Sequence, residues 1–120
     1  MSNRPLTPEE YRLARWLLEH GSGDTARFLA QLEKAEITPF RCKCGCASIN
    51  FQIKGFPEAP PGVNILSEYF FGSNAELYGI FIFEKDGILS GIEVFGYGVD
   101  NPTHLPTPEM LRATSSDRAI

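Results

Sequence analysis

A chain of 120 residues, 42% hydrophobic and 22% charged, has the size and makeup of one globular domain, which excludes two ordinary domains and wholesale disorder. No eighteen apolar residues run together and the segment Met1–Glu10 has no apolar signal stretch, so neither a membrane span nor secretion is expected and the cytoplasm is the default compartment. The net charge of −4 is uneven: residues 1–55 carry eight Lys/Arg against six Asp/Glu and residues 56–120 three against nine, an acidic half that argues against nucleic acid as a partner.

In chain order, Thr7-Pro8-Glu9-Glu10 reads as a helix start with Thr7 as N-cap, Pro8 in the first turn and Glu10 reaching back to the Thr7 amide. Leu13, Trp16, Leu17 and His20 follow at helical spacing, and Gly21 is expected to supply a left-handed stop. Ser22 or Asp24 caps a second helix, whose stripe of Phe28, Leu29, Leu32 and Ala35 predicts that it runs until Pro39 ends it. The period then changes to two: Ala47, Ile49, Phe51 and Ile53 alternate with polar residues as a half-buried strand.

Residues 55–62 form a Pro-rich loop, and 63–71 carry a weaker strand pattern. Leu77–Phe83 is almost continuously apolar, which predicts a central strand buried on both faces. Asp86-Gly87 is the signature of a two-residue type I′ turn, after which Ile88–Tyr97 returns antiparallel. Thr107-Pro108 predicts a short turn of helix near the end. The expected fold is α+β: an N-terminal helical hairpin packed on an antiparallel sheet of four to five strands, in two layers. It forms a single domain over 1–120 whose ends, 1–6 and 114–120, are expected to be flexible.

The motif with specific chemistry is Arg41-Cys42-Lys43-Cys44-Gly45-Cys46. Thiolates suit zinc at about 2.3 Å, but neighbours two apart on an extended strand are separated by about 6.6 Å, so the segment must turn to chelate, as Gly45 permits. Cys42, Cys44 and Cys46 leave a fourth position for His20, His104 or a carboxylate such as Glu93, and the chain lacks the second ligand pair of the usual zinc signature. The alternatives are thiols that act as small hydrophobes, or a reactive thiolate with its pKa lowered by Arg41 and Lys43.

Activated nucleophiles and acid–base pairs are otherwise scarce, which favours binding over catalysis. His20 at a helix end suits a capping role. Glu93 lies within a strand, where most carboxylates face solvent, and Tyr69, Phe70, Phe71 or Tyr78 could anchor a partner if exposed, although core is their more frequent use.

Leu6-Thr-Pro-Glu-Glu before a helix, Cys42-Lys-Cys-Gly-Cys before a strand, and Gly87-Ile-Leu-Ser-Gly-Ile-Glu-Val-Phe before a Pro-rich end together resemble a group of small bacterial α+β proteins of the Cys-x-Cys-Gly-Cys type. Proteins of this size and order are met among the immunity partners of bacterial polymorphic toxins. The resemblance implies a bacterial origin and a binding role, and it carries over no catalytic residue. With the acidic half, it leads to the expectation of a basic protein partner met by Glu68, Glu76 and Glu84, with no cofactor unless the cysteines hold zinc.

Overall fold

The computed structural model describes residues 2–39 and 47–113. Its elements, in chain order, are β1 (Arg4–Pro5), α1 (Pro8–Glu19), α2 (Thr25–Leu32), β2 (Ala35–Ile37), β3 (Ile49–Ile53), β4 (Asn64–Gly72), β5 (Leu77–Lys85), β6 (Ile88–Gly96), a 3-10 turn (Pro108–Met110) and β7 (Arg112–Ala113). The α+β class stands, but among the described residues the sheet has seven antiparallel strands rather than four or five, in the order β1-β2-β3-β6-β5-β4-β7.

The start of α1 follows from its first residues. Thr7 Oγ1 accepts from the Glu10 amide at 3.1 Å, and Glu10 Oε1 accepts from the Thr7 amide at 2.9 Å. Arg4 on β1 grips both oxygens of the same carboxylate at 2.9 Å, so one glutamate ties the sheet edge to the helix. The Arg4 guanidinium, with the Thr7 amide behind it, holds the Glu10 carboxyl below the usual carboxylate range. A lowered folded-state pKa stabilises fully above the unfolded value of about 4.3 and loses that contribution as pH falls through the folded value. Replacing Glu10 by Gln should therefore cost about 1 kcal/mol at neutral pH, and the gap from the parent should close on acidification. Denaturant titrations at pH 7 and pH 3 check this; an equal gap at both would show that charge plays no part.

Leu13, Ala14, Leu17 and Leu18 of α1 and Phe28 and Leu32 of α2 are buried against one face of the sheet, where they meet Ile80, Ile82, Leu89, Ile92 and Val94 of the two central strands. Each such aliphatic side chain contributes about 1.5–3 kcal/mol on full burial. Polar anchors fix the layers in place. Ser67 Oγ donates to Leu17 O at 2.9 Å, Ser22 N donates to Leu66 O at 2.8 Å, and Gln31 spans from α2 to the β5–β6 turn, donating to Gly87 O and accepting from Leu89 N at 2.8 Å each.

Several expectations need correction. The second helix ends at Leu32, and Ala35–Ile37 is a strand paired with Phe51–Ile53. Its cap is Asp24, one of the two residues expected there, whose Oδ1 accepts from Arg27 N at 3.1 Å. Gly21 does not take positive φ; the α1 cap is His20 at φ −106°, and Gly21 lets the chain approach Leu66 O, which would lie 2.6 Å from a Cβ. Thr107 precedes the 3-10 turn without a side-chain capping bond. Arg4–Pro5, within a segment expected to be a loose end, pairs with Glu36–Ile37; residues 114–120 lie outside the described residues. The type I′ turn forms as its residues require, with Asp86 at φ 53° and Gly87 at φ 81°.

Sheet register carries two irregularities. A bulge between Ile65 and Ser67 of β4 turns both Leu66 and Ser67 inward, which is why this strand's alternation reads weakly. β3 joins β6 through only two register pairs, Ile49↔Ile92 and Asn50↔Gly91, extended by the Ser48 hydroxyl, which accepts from Val94 N at 3.0 Å.

Candidate functional site

The helices cover one face of the sheet. Strand alternation sends Phe70 of β4, Phe81 and Phe83 of β5, and Phe95 and Tyr97 on and just after β6 to the other face, outside the core cluster. β5 is therefore central but buried on one side only, and its long apolar run does not mark a strand covered on both faces. Among the described residues no helix lies over these rings, which are half-buried by each other and, for Tyr97, 43% exposed.

The rings form a connected set. Phe81 meets Phe83 at 5.7 Å and Phe95 at 6.1 Å between centroids, and Tyr97 meets Phe95 at 5.1 Å and Phe70 at 5.5 Å. The edge-to-face and tilted geometries are those that aromatic quadrupoles prefer. Glycines make the packing possible: the Phe95 ring lies where a Gly79 side chain would project, with Cζ 2.4 Å from that Cβ position.

Charge is placed in register with the rings. Glu68, Phe81 and Glu93 stand directly opposite one another across β4, β5 and β6, so a carboxylate flanks the central ring on each side. Glu93 is exposed and Glu68 half-buried. Burial, and secondarily the Glu68 carboxylate, push the Tyr97 phenol above its ordinary value. Among the described residues, Lys85 and Arg112 stand at opposite ends of the aromatic set, Arg112 opposite Phe70 donating to Gly72 O at 2.9 Å, and Lys54, 3.7 Å from Glu36, lies just after β3.

The residues expected at a partner surface do not assemble into one. Glu68 lies on the open face. Glu76 is exposed in the β4–β5 turn, bonded through its backbone to Ser73. Glu84 faces the helical side and is buried, accepting from Gly87 N at 2.8 Å and from the Asn64 amide, so it braces the hairpin turn from within. Eight residues of extended strand separate Glu76 from Glu84, about 27 Å. Of the four aromatics singled out, Tyr69, Phe71 and Tyr78 pack into or against the core and only Phe70 faces out.

Cys42, Cys44 and Cys46 lie outside the described residues. Of the histidines proposed beside them, His20 stacks on Trp16 at 4.0 Å with Nδ1 2.9 Å from Trp16 O at the far end of α1. His104, 3.1 Å from Thr103 Oγ1, lines a cavity of about 580 Å³ between the start of α1, β2 and β3, in a segment bonded to the Ala47 amide through Pro102 O at 3.0 Å. Thr38 Oγ1, of a residue on the same cavity wall, is buried without a hydrogen-bond partner among the described residues. No group of three or more His, Cys, Asp or Glu that could hold a metal occurs among the described residues. None of the described helices is long and apolar enough to cross a membrane.

Comparison with protein-family models, with curated proteins and with solved structures finds no match.

Proposed function

We propose that the protein is a non-enzymatic binding module that docks a basic partner protein on the open aromatic face of its sheet. The observation that carries this is the row Glu68–Phe81–Glu93, which joins an accessible apolar surface to negative charge at its centre. Aromatic side chains supply large contact area at low entropic cost, and central carboxylates select a cationic surface and reject an acidic one. An immunity-type inhibitor, the class that the sequence resemblance implies, is a module of this kind.

The test is capture on the immobilised protein, followed by reconstitution with the purified captured protein. The double reversal Glu68→Lys with Glu93→Lys should weaken binding tenfold or more at low salt, with the difference shrinking as salt rises. Reversal of Glu19, on the exposed side of α1, should leave binding unchanged. A partner that binds the double variant as tightly as the parent would refute docking on this face.

A further inference from the structure

We infer that the segment joining β3 to β4 is a second interaction surface, independent of the open face: a proline-rich ligand for a protein domain whose aromatic-lined groove is acidic at one end. Residues 54–63 belong to no helix, and only Asn64 resumes the sheet. Proline fixes φ near −65° at Pro57, Pro60 and Pro61, and it drives the residues before it, Phe56, Ala59 and Pro60, into the extended region. Sterics alone thus favour a polyproline II stretch over 56–61, the conformation that such grooves read. With three residues per turn, Pro57 and Pro60 fall on one edge of it. Positive φ at Gly55 (87°) and Gly62 (131°) turns the chain at either end.

The segment is both accessible and held. Among the described residues, three of the five large apolar side chains left exposed, Phe56 (39%), Val63 (57%) and Ile65, lie in it or beside it. Pro57 and Pro61 are exposed as well, whereas Ala59 and Pro60 are half-buried, so the stretch rests on the body of the protein and needs little further ordering on binding. Gly62 lies against the Lys85 stem, whose Cδ and Cε would come within 2.9 Å of a Cβ there. β6 and β5 stand between β3 and β4, so the segment crosses three strand spacings, about 14 Å. Crossing that gap does not require an aromatic ring left in water; docking does. Lys54, two residues before Phe56, is 69% exposed and 3.7 Å from Glu36, too far for a hydrogen bond. Its ammonium can meet the acidic end of a groove and so set the direction in which the segment docks.

The test uses the full-length ¹⁵N-labelled protein, titrated with a purified SH3 domain that carries acidic residues at one end of its groove, and with the same domain after its groove tryptophan is replaced by alanine. Saturable amide shifts confined to Lys54, Phe56, Glu58, Ala59, Val63 and their neighbours are expected with the intact domain, and none with the altered one. Pro57→Ala with Pro60→Ala should weaken binding by about tenfold or more. Lys54→Glu, which leaves every proline in place, should weaken it several-fold, by less as salt rises. Thermal unfolding of each variant shows whether the fold is kept; if the double alanine variant melts early, the exposed Pro57→Ala alone replaces it. Absence of a saturable shift, equal binding of the altered domain, or shifts that lie away from 54–63 would overturn the assignment.

Discussion

Substituting Gln31 by leucine should lower the unfolding free energy by about 2–4 kcal/mol, although leucine fills much of the same space and favours the helix. The glutamine amide is 5% exposed and serves two backbone groups of the β5–β6 hairpin at once, the Gly87 carbonyl and the Leu89 amide. Leucine leaves both unpartnered where Leu89 is fully buried, and a buried unsatisfied group costs about 1–3 kcal/mol. Glutamate in the same place is the informative companion. It still accepts from Leu89 N but turns a carboxylate oxygen toward Gly87 O, so it should recover stability only when protonated. Urea denaturation with unchanged m-value is the measurement. A loss below 1 kcal/mol for the leucine variant would mean that the turn finds other partners and that α2 is not fastened there.

Valine at Gly91 should destabilise the fold by about 2–3 kcal/mol, with alanine giving a smaller loss of the same origin. A Cβ at this position would sit 2.5 Å from Ile49 O, a backbone atom of β3 that cannot rotate away, and 3.1 Å from Asn50 Oδ1. Asn50↔Gly91 is one of only two register pairs joining β3 to β6, so the strain falls on the junction that links β1, β2 and β3 to the rest of the sheet. Thermal unfolding reads the loss, and cross-strand NOEs between Ile49 and Ile92 report whether the junction has opened. If valine leaves both unchanged, the approach of β3 to Gly91 is looser than its geometry requires.

What was legible in the sequence was local. The Thr7–Glu10 box and the Asp86-Gly87 turn are encoded within four residues, and both form. Residues whose structure is set by partners far along the chain gave no such signal. Glu33-Lys34-Ala35-Glu36 are good helix formers, yet pairing with β3 makes Ala35–Ile37 a strand. Arg4–Pro5 and Arg112–Ala113 are too short to show any alternation. The open face was hidden for a related reason: a run such as Leu77–Phe83 looks the same whether a second layer covers its outer residues or leaves them bare. Glu93 within its strand was the hint available, since it shares a face with Phe95. That it meets Phe81 and Glu68 depends on the register of three strands, and in β4 on a bulge.

The two-pair junction between β3 and β6 divides the sheet into parts of different origin. β4, β5 and β6 are consecutive along the chain, whereas Asn50 reaches Gly91 across about forty residues. The three-stranded meander closes on short loops, while β1, β2 and β3 must be carried in from a distance at greater entropic cost. The helices bridge the parts, with α1 on β4 and β5, α2 on β6, and β2 leading directly from α2. The molecule thus has a built-in line of parting. A partial opening that spares the meander releases β1–β3 as a unit, so amide protons of β3 exchange ahead of those of β5, and the open aromatic face, carried by β4, β5 and β6, stays assembled while its flank comes and goes.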